Sequence, residues 1–295
     1  MTAFIFGLGQ SSLEFVRLHG AAYMPLAGTV RSPGKATRLS ADGQVAPMFF
    51  SESHCDAAIP PALAQARYLL VSIPPGEQGD PVLNAFAREI AAAPRLERIV
   101  YLSTIGVYGD HGGAWIDETT PARPVAERSR LRLQAENAWQ DLAGESGRAL
   151  DILRLAGIYG PGHNPLVALA SGTAKRLVKP GQVFNRIHVT DIAHAIEACF
   201  SSGRPGAIYN VTDDEPAPPQ DVVTFAAELM GIAPPPEQDF ASARLSPMAR
   251  SFYGENKRVS NARIKNELGF TPAYPTYREG LRGLFAAGEG RNSGR

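Results

Sequence analysis

The chain has 295 residues, of which 44% are hydrophobic, and its 29 Lys and Arg residues equal its 29 Asp and Glu residues in number. This length and composition suffice for a sizeable core in one large or two modest domains. The balanced charge gives no reason to expect nucleic acid or an anionic membrane surface as a partner. Two cysteines, Cys55 and Cys199, are too few for a disulfide framework or a zinc site, and we predict no bound metal.

The chain begins with a short apolar run, residues 3–6, that leads directly into glycines and has no basic segment before it. Such a start is typical of a buried strand rather than of a signal peptide. No apolar run approaches the ~20 residues that span a bilayer. These features predict a cytoplasmic protein without a membrane partner.

The first two-thirds of the chain alternate strand-like and helix-like segments. The predicted strands are residues 3–6, 26–30, 45–50, 68–73, 98–103 and 150–155. The predicted helices are residues 13–18, 62–66, 81–93 and 126–142. Such alternation predicts a Rossmann-like, doubly wound α/β domain, in which a parallel sheet carries helices on both faces.

Beyond residue 161 prolines become frequent and the pattern changes. Strand-like segments return at 184–189 and 207–211, and helices are predicted at 191–200, 219–230 and 261–268. We predict a dinucleotide-binding domain over residues 1–160 that is completed by late strands from 184–211. Residues 161–183 and 212–295 would form a small C-terminal substrate-binding lobe, whose tail from Ala287 is expected to fray.

Residues 7–12, Gly-Leu-Gly-Gln-Ser-Ser, follow the first strand and predict a dinucleotide site. Gly7 permits a tight turn, Gly9 lets backbone N–H groups approach a pyrophosphate, and the following helix points its positive end at that anion. Ser12 replaces the third glycine of the full fingerprint, so an ordinary strand–helix turn is the alternative. The residues expected to contact the pyrophosphate are Gly7, Gly9, Gln10, Ser11 and Ser12.

The end of the second predicted strand indicates which dinucleotide binds. An NAD site carries Asp or Glu there to accept a hydrogen bond from the ribose 2′-hydroxyl. Residues 15–41 contain no acid, and Arg31 and Ser32 stand at that place, with Lys35 and Arg38 after them. Guanidinium and hydroxyl groups suit a 2′-phosphate, which favours NADP, with NAD possible. A solvated basic loop is the alternative.

The fourth predicted strand ends in Ser-Ile-Pro-Pro-Gly, residues 72–76. Prolines fix a loop and remove N–H donors. We therefore expect Ile73, Pro74 and Pro75 to form a wall of the cofactor site, the alternative being a simple end to the strand.

Three later stretches resemble the extended short-chain dehydrogenase/reductase family, which includes NAD(P)-dependent sugar-nucleotide epimerases and dehydratases. They are residues 100–109 (VYLSTIGVYG), 154–162 (RLAGIYGPG) and 187–193 (IHVTDIA), the last followed by Tyr-Asn-Val at 209–211. The resemblance covers nearly the whole chain and is more specific for fold than for reaction. It implies an active-site hydroxyl at Thr104, with Ser103 beside the cofactor.

The family's Tyr-x-x-x-Lys pair is missing from this sequence. Aligning the family's downstream Glu with Glu136 places Arg128 where the Tyr belongs and Arg132 where the Lys belongs. In the family the Tyr is the general acid/base, and the Lys lowers its pKa. Arg stays protonated, so both arginines can hold a charge or orient a ribose but are poor bases. The chain resembles an atypical branch of the family.

Two other side chains are candidates for the missing proton donor. Tyr108 lies within the first family-like stretch, and its alternative role is packing against the cofactor pocket. His163 follows a Gly-Pro-Gly loop, and its alternative is an exposed loop histidine. Water is the remaining candidate.

Two functions remain open at this point. The first is a NADP-preferring oxidoreductase or epimerase-like enzyme acting on a small substrate, which the hydroxyl of Thr104 and the substrate lobe favour. The second is a non-catalytic NADP(H)-binding redox sensor or regulator, which the missing pair favours. We expect an enzyme, as a monomer or homodimer. If several basic residues of the lobe converge, they suit an anionic or nucleotide-linked substrate, and an ordinary charged surface is the alternative. These residues are Lys175, Arg176, Lys179, Arg186, Arg250, Lys257 and Arg258.

Overall fold

The computed structural model describes residues 2–51 and 53–291. Its strands are β1 (Ala3–Phe6), β2 (Leu26–Val30), β3 (Ala46–Ser51), β4 (His54–Cys55), β5 (Tyr68–Val71), β6 (Arg98–Thr104), β7 (Trp115–Ile116), β8 (Ala149–Leu155), β9 (Gly157–Tyr159), β10 (Arg176–Val178), β11 (Arg186–His188), β12 (Ile208–Val211), β13 (Glu237–Asp239) and β14 (Arg258–Val259). Its α-helices are α1 (Gln10–His19), α2 (Pro33–Asp42), α3 (Ile59–Gln65), α4 (Pro81–Ala92), α5 (Glu127–Ser146), α6 (Pro165–Ala170), α7 (Val189–Ser201), α8 (Pro219–Met230), α9 (Pro247–Phe252), α10 (Ala262–Leu268) and α11 (Tyr277–Ala286).

Eight of these strands form one sheet in the order β12-β8-β6-β5-β1-β2-β3-β4. All neighbours in it are parallel except the short edge strand β4, which is antiparallel to β3. The chain starts in the middle of the sheet and winds first towards one edge and then towards the other. This arrangement confirms the predicted doubly wound, Rossmann-like α/β fold.

The central strands are buried because helices cover both faces of the sheet. All four residues of β1 are buried, as are all four of β5. Ile5 belongs to the same core cluster as Phe15 of α1. Phe6 points to the other face, where its ring lies 5.3 Å from that of Phe86 in α4. Alternate residues of a strand thus serve two separate cores, which explains the uninterrupted apolar runs in the sequence.

The direction of winding reverses between β1 and β5. Helix α1 leads from β1 to β2 and packs in the core on one face of the sheet, whereas α3, which precedes β5, packs in the core on the other face. In open α/β sheets such a reversal leaves a crevice at the carboxyl ends of the two strands, where ligands bind.

The second half of the chain adds strand β12 to the sheet and builds most of a smaller lobe. We expected late strands from 184–211 to complete the main sheet. Strand β12 does so at the edge beside β8, but β11 instead pairs with β9 in a separate two-stranded sheet. The remaining strands of the described residues form two further pairs, β10–β13 and β7–β14. Helices α6, α8 and α11 supply the lobe's apolar core, which includes Leu166, Val222 and Leu281.

The predicted frayed tail is tethered as far as the structure describes it. Glu289 accepts hydrogen bonds from the backbone N–H of Gly162, at 3.2 Å, and from Asn164 Nδ2, at 3.0 Å. Residues 292–295 lie outside the described residues. Across residues 2–51 and 53–291, no helix combines the length and hydropathy that a membrane span requires.

A buried ion pair fixes helix α5 to the sheet. Arg154 of β8 donates to Glu136 of α5 at 2.7 Å, and Ser103 of β6 donates to the same carboxylate. The side chains of Arg154 and Glu136 are only 5% and 1% exposed. Each charge therefore depends on the other, since neither has access to water.

We predict that Glu136→Gln lowers the free energy of unfolding by about 3 kcal/mol, because it leaves the Arg154 guanidinium buried without a counter-charge. Urea denaturation measures the change. Glu127→Gln is the matched control, since Glu127 lies on the same helix in an exposed pair with Arg130 and should cost less than about 1 kcal/mol. Equal effects of the two substitutions would contradict the prediction.

Candidate cofactor and substrate site

The turn after β1 can be made only by glycine. Gly7 has φ +90°, and a Cβ placed on it would lie 2.9 Å from Ile73 Cγ1 and 3.2 Å from the Ile73 nitrogen. The N–H of Gly7 donates to Thr29 Oγ1 of β2 at 2.9 Å. The ends of β1, β2 and β5 are thereby held together around one residue without a side chain. Sequence reasoning overlooked Thr29, which reads as an ordinary strand residue.

Ser12, which stands in place of the third glycine, braces the turn from inside. Its hydroxyl donates to the Gly7 carbonyl at 2.5 Å and accepts from the Gly9 N–H at 3.1 Å. Ser12 is fully buried, so only its backbone N–H remains for the expected pyrophosphate contact. A Cβ on Gly9 would meet no atom within 4 Å, which leaves open space beside that residue.

The first turn of α1 offers an anion site next to this open space. Gln10 is exposed and Ser11 is 7% exposed. Within the described residues, the backbone N–H groups of Gln10, Ser11 and Ser12 donate to no protein acceptor, as is usual in the first turn of a helix. The turn also contains no acidic residue. Free N–H groups at the positive end of a helix fit the pyrophosphate of a dinucleotide.

A cluster of cations lies at the carboxyl end of β2, where helix α2 begins. Arg31 and Ser32 are exposed, and Lys35 and Arg38 follow on α2. Among the described residues, none of the three cations forms an ion pair with a carboxylate. Partial burial and the neighbouring charges of Arg38 and Arg31 lower the pKa of Lys35. The cluster is therefore a positive region without an internal counter-ion.

The loop after β5 lies beside the glycine turn. The N–H of Ser72 donates to the Phe6 carbonyl at 2.8 Å, and Ile73 faces Gly7. Pro74 is exposed and Pro75 is half-buried. The loop thus borders the crevice. This is the position that we expected for a wall of the cofactor site.

Two hydroxyl groups flank Gly106, just beyond the end of β6. Thr104 Oγ1 accepts the Gly106 N–H at 3.1 Å. A Cβ on Gly106 would lie 2.8 Å from Ser129 Oγ and 3.4 Å from Thr104 Oγ1. Ser129 belongs to the first turn of α5 and was not predicted, because aligning that helix with the family's Tyr-x-x-x-Lys pair singles out only Arg128 and Arg132.

Ser103 and Tyr108 have their hydroxyls inside the protein. Ser103 donates to the buried Glu136 carboxylate. Tyr108 is fully buried, donates to Asn210 Oδ1 at 2.8 Å, and has the Arg154 guanidinium 4.7 Å from its ring centre. Burial raises the pKa of Tyr108. The cofactor contact expected of Ser103 and the proton donor expected of Tyr108 do not fit these placements, because neither hydroxyl is open to a ligand.

The two arginines at the family's Tyr and Lys positions have different surroundings. Arg132 Nη1 donates to the Leu102 carbonyl at 2.7 Å, which holds this side chain against β6. Arg128 extends to helix α9 in the lobe, where its Nη1 donates to Ser251 Oγ at 3.0 Å. Its guanidinium carbon lies 4.3 Å from the centre of the Phe252 ring. The structure therefore does not bring the two arginines together on one acceptor.

His163 is exposed on a loop, and its backbone exchanges two hydrogen bonds of 3.1 Å with Gly160. His188 is buried, and its Nδ1 accepts the Thr190 N–H at 3.2 Å. Its ring centre lies 4.2 Å from that of Tyr274. Burial lowers the pKa of His188 to about 4, so this imidazole is neutral at physiological pH.

The basic residues of the lobe do not converge on one point. Lys257 donates to the Gly109 carbonyl and to Glu255, each at 2.6 Å. Arg186 donates to two backbone carbonyls, at 2.9 and 3.1 Å. Arg176 pairs with Glu237 at 2.8 Å. Most of these charges thus serve the packing of the lobe, in contrast to the expected anion site.

Comparison with known proteins identifies relatives over the whole chain. The model of the NAD dependent epimerase/dehydratase family matches residues 48–212. Protein YeeZ of Escherichia coli K12 is 31% identical over 92% of this chain and 95% of its own length. A 3-diazoavenalumate denitrifying reductase from a Streptomyces species is 30% identical over 65% of this chain and 66% of the reductase. A solved structure, of a functionally unknown conserved protein from Silicibacter pomeroyi DSS, is 46% identical with a TM-score of 0.87 and covers 98% of this chain and 99% of that one.

We predict that His188 makes the fold sensitive to acid. The unfolded chain binds a proton below pH 6.5, the ordinary pKa, whereas folded His188 does so only near its lowered pKa of about 4. The unfolded state therefore holds more protons between these values, and stability falls as the pH drops through them, by up to about 3 kcal/mol.

Urea denaturation between pH 7 and pH 4 measures this loss. His188→Asn keeps an acceptor for the Thr190 N–H and should show a smaller fall in stability than the wild type. His163→Asn, which removes an exposed imidazole, should behave as the wild type. An equal fall in the free energy of unfolding between pH 7 and pH 4 in His188→Asn and in the wild type would contradict the prediction.

Proposed function

Because the chain belongs to the NAD dependent epimerase/dehydratase family, we propose that it is an oxidoreductase that binds NADP(H) across the β1–β5 crevice and acts on a small anionic substrate. The observation that carries the proposal is the cluster of Arg31, Lys35 and Arg38 after β2, for which no ion pair is found among the described residues, next to the open first turn of α1. The family description itself extends only to NAD, so the preference for NADP rests on this chain's own residues.

The two anionic groups of the cofactor have separate places in this proposal. The pyrophosphate lies on the N–H groups of residues 10–12, opposite the glycine turn. The 2′-phosphate lies between Arg31, Ser32 and Lys35. The match to the family begins at residue 48, so it does not cover the glycine turn or the basic cluster after β2.

A bound nicotinamide cofactor would supply or accept the hydride. Thr104 is a hydroxyl placed to orient a substrate oxygen, because it is only partly buried and lies beside Gly106 at the end of β6. Arg128 and Arg132 stay protonated and do not take up a proton. General acid–base catalysis contributes about 10²–10⁴-fold in rate, so its absence slows hydride transfer without forbidding it. The relative that is named a reductase is consistent with hydride chemistry.

A non-catalytic NADP(H) sensor is the second candidate. It is favoured by the absence of the family's Tyr-x-x-x-Lys pair and by the internal hydrogen bonds of Tyr108 and Arg132, which engage a candidate proton donor and the residue at the family's Lys position. Following NADPH absorbance with a panel of aldehydes, ketones and aryl acids distinguishes the two. Oxidation of NADPH that depends on one class of substrate supports the enzyme. Binding of NADPH without turnover on any class supports the sensor.

We predict that Arg31→Asp weakens NADPH binding by about 10- to 100-fold, because it exchanges a charge-assisted contact with the 2′-phosphate for a repulsion. NADH binding should change by less than about 3-fold, since NADH lacks that phosphate. Calorimetric titration of both cofactors measures the two affinities. Arg95→Asp is the matched control, because Arg95 is exposed in the loop before β6. That loop lies at the amino-terminal ends of the strands, whereas the crevice lies at their carboxyl ends. Equal losses for both cofactors, or none, would refute the role of Arg31.

A further inference from the structure

An unpaired cation and an exposed aromatic ring meet where the Rossmann-like domain faces the lobe. Arg128 of α5 stacks on Phe252 of α9, and Phe252 is 53% exposed. Among the residues that the structure describes, Arg128 has no carboxylate within ion-pair distance, and Ser251 is the one acceptor of its guanidinium for which a bond is found. A guanidinium has five N–H donors, so most of its donor edge is available to a ligand.

The position of Arg128 relates it to the proposed hydride site. The next residue, Ser129, is buried beside Gly106, together with Thr104. Thr104 ends β6, which is on the opposite side of β1 from the basic cluster at β2. A dinucleotide with its 2′-phosphate at β2 therefore extends its other end towards β5 and β6, so Arg128 borders the reacting end of the crevice.

The charge around Arg128 limits the kind of anion that fits. The other cations of α9 and its surroundings are directed elsewhere: Arg250 and Lys179 lie 5.1 and 5.6 Å from the centre of the Phe240 ring. Lys257 is paired with Glu255 at 2.6 Å. One isolated guanidinium matches a monoanion, whereas a diphosphate is usually held by several converging cations.

The apolar surroundings limit the rest of the ligand. Phe252 is 53% exposed although the Arg128 guanidinium lies over its ring. A flat apolar group can pack against the exposed part of this side chain while its carboxylate pairs with the guanidinium in the plane that Arg prefers.

We propose that Arg128 anchors the carboxylate of an aromatic or conjugated carboxylic acid, whose flat body lies against Phe252. This inference rests on the proposed function, because it identifies the substrate class of the same crevice. Arg128 is then a residue that determines specificity at the position where the family has its general acid/base.

The test is calorimetric binding to the full chain saturated with NADPH, with trans-cinnamate as the probe and cinnamamide as its neutral counterpart. Cinnamate should bind about 10- to 100-fold more tightly than cinnamamide, the range for a charge-assisted contact. Arg128→Gln should abolish this preference, and Arg128→Lys should retain part of it. Arg130→Gln is the matched control, since Arg130 is exposed on the same helix and pairs with Glu127.

Three results would overturn the anchoring role: equal affinity for the acid and the amide, an unchanged preference in Arg128→Gln, or displacement of cinnamate by an equal concentration of inorganic phosphate. The last would assign the site to phosphate. The affinity for NADPH, measured first on every variant, separates this inference from the proposed function. Failure of NADPH to bind the wild type refutes the function, whereas loss of the preference for acid with NADPH binding intact refutes only the role of Arg128.

Discussion

The crevice of this protein depends on the close approach of β1 and β5 at Gly7. A single methyl group on that residue would collide with Ile73, and φ +90° is unfavourable for any residue with a side chain. The same glycine is bound to Thr29, so the end of β2 is fixed as well. The open first turn of α1 and the basic cluster at β2 therefore occupy set positions relative to each other. In the proposed function, these set positions lower the entropic cost of binding a cofactor with two separated anionic groups.

A second constraint acts at the other end of the crevice. The Glu136–Arg154 pair and Ser103 hold α5 against β6 and β8 from within the protein. Because the first turn of this helix carries Arg128, the pair also determines how far that side chain reaches towards the lobe. Arg132, at the family's Lys position, is held against β6 through the Leu102 carbonyl, whereas Arg128, at the Tyr position, is exposed at the start of the helix.

The sequence predicted the parts of the fold that follow from apolar periodicity and glycine placement. Strands β1, β5, β6 and β8 and the helix after Gly9 are within a few residues of their predicted bounds, because each buries a continuous apolar surface. Helix α2 was overlooked because it buries no residue and so carries no apolar stripe. Contacts between distant segments, such as Arg128 with Phe252, leave no local pattern at all. The sequence therefore identified Arg128 as a candidate site residue but not the ring that it contacts.

Replacing a tyrosine by an arginine at the start of α5 changes what the crevice can do. A tyrosine next to a lysine can release and recover a proton near neutral pH, whereas a guanidinium remains charged throughout that range. A permanent charge contributes attraction in both the ground state and the transition state, and so favours binding more than the chemical step. Under the proposed oxidoreductase function, such a site would gain selectivity for its substrate while it depends on the reactivity of that substrate for rate. Its substrates would be those whose reduction needs no strong acid at the reacting atom.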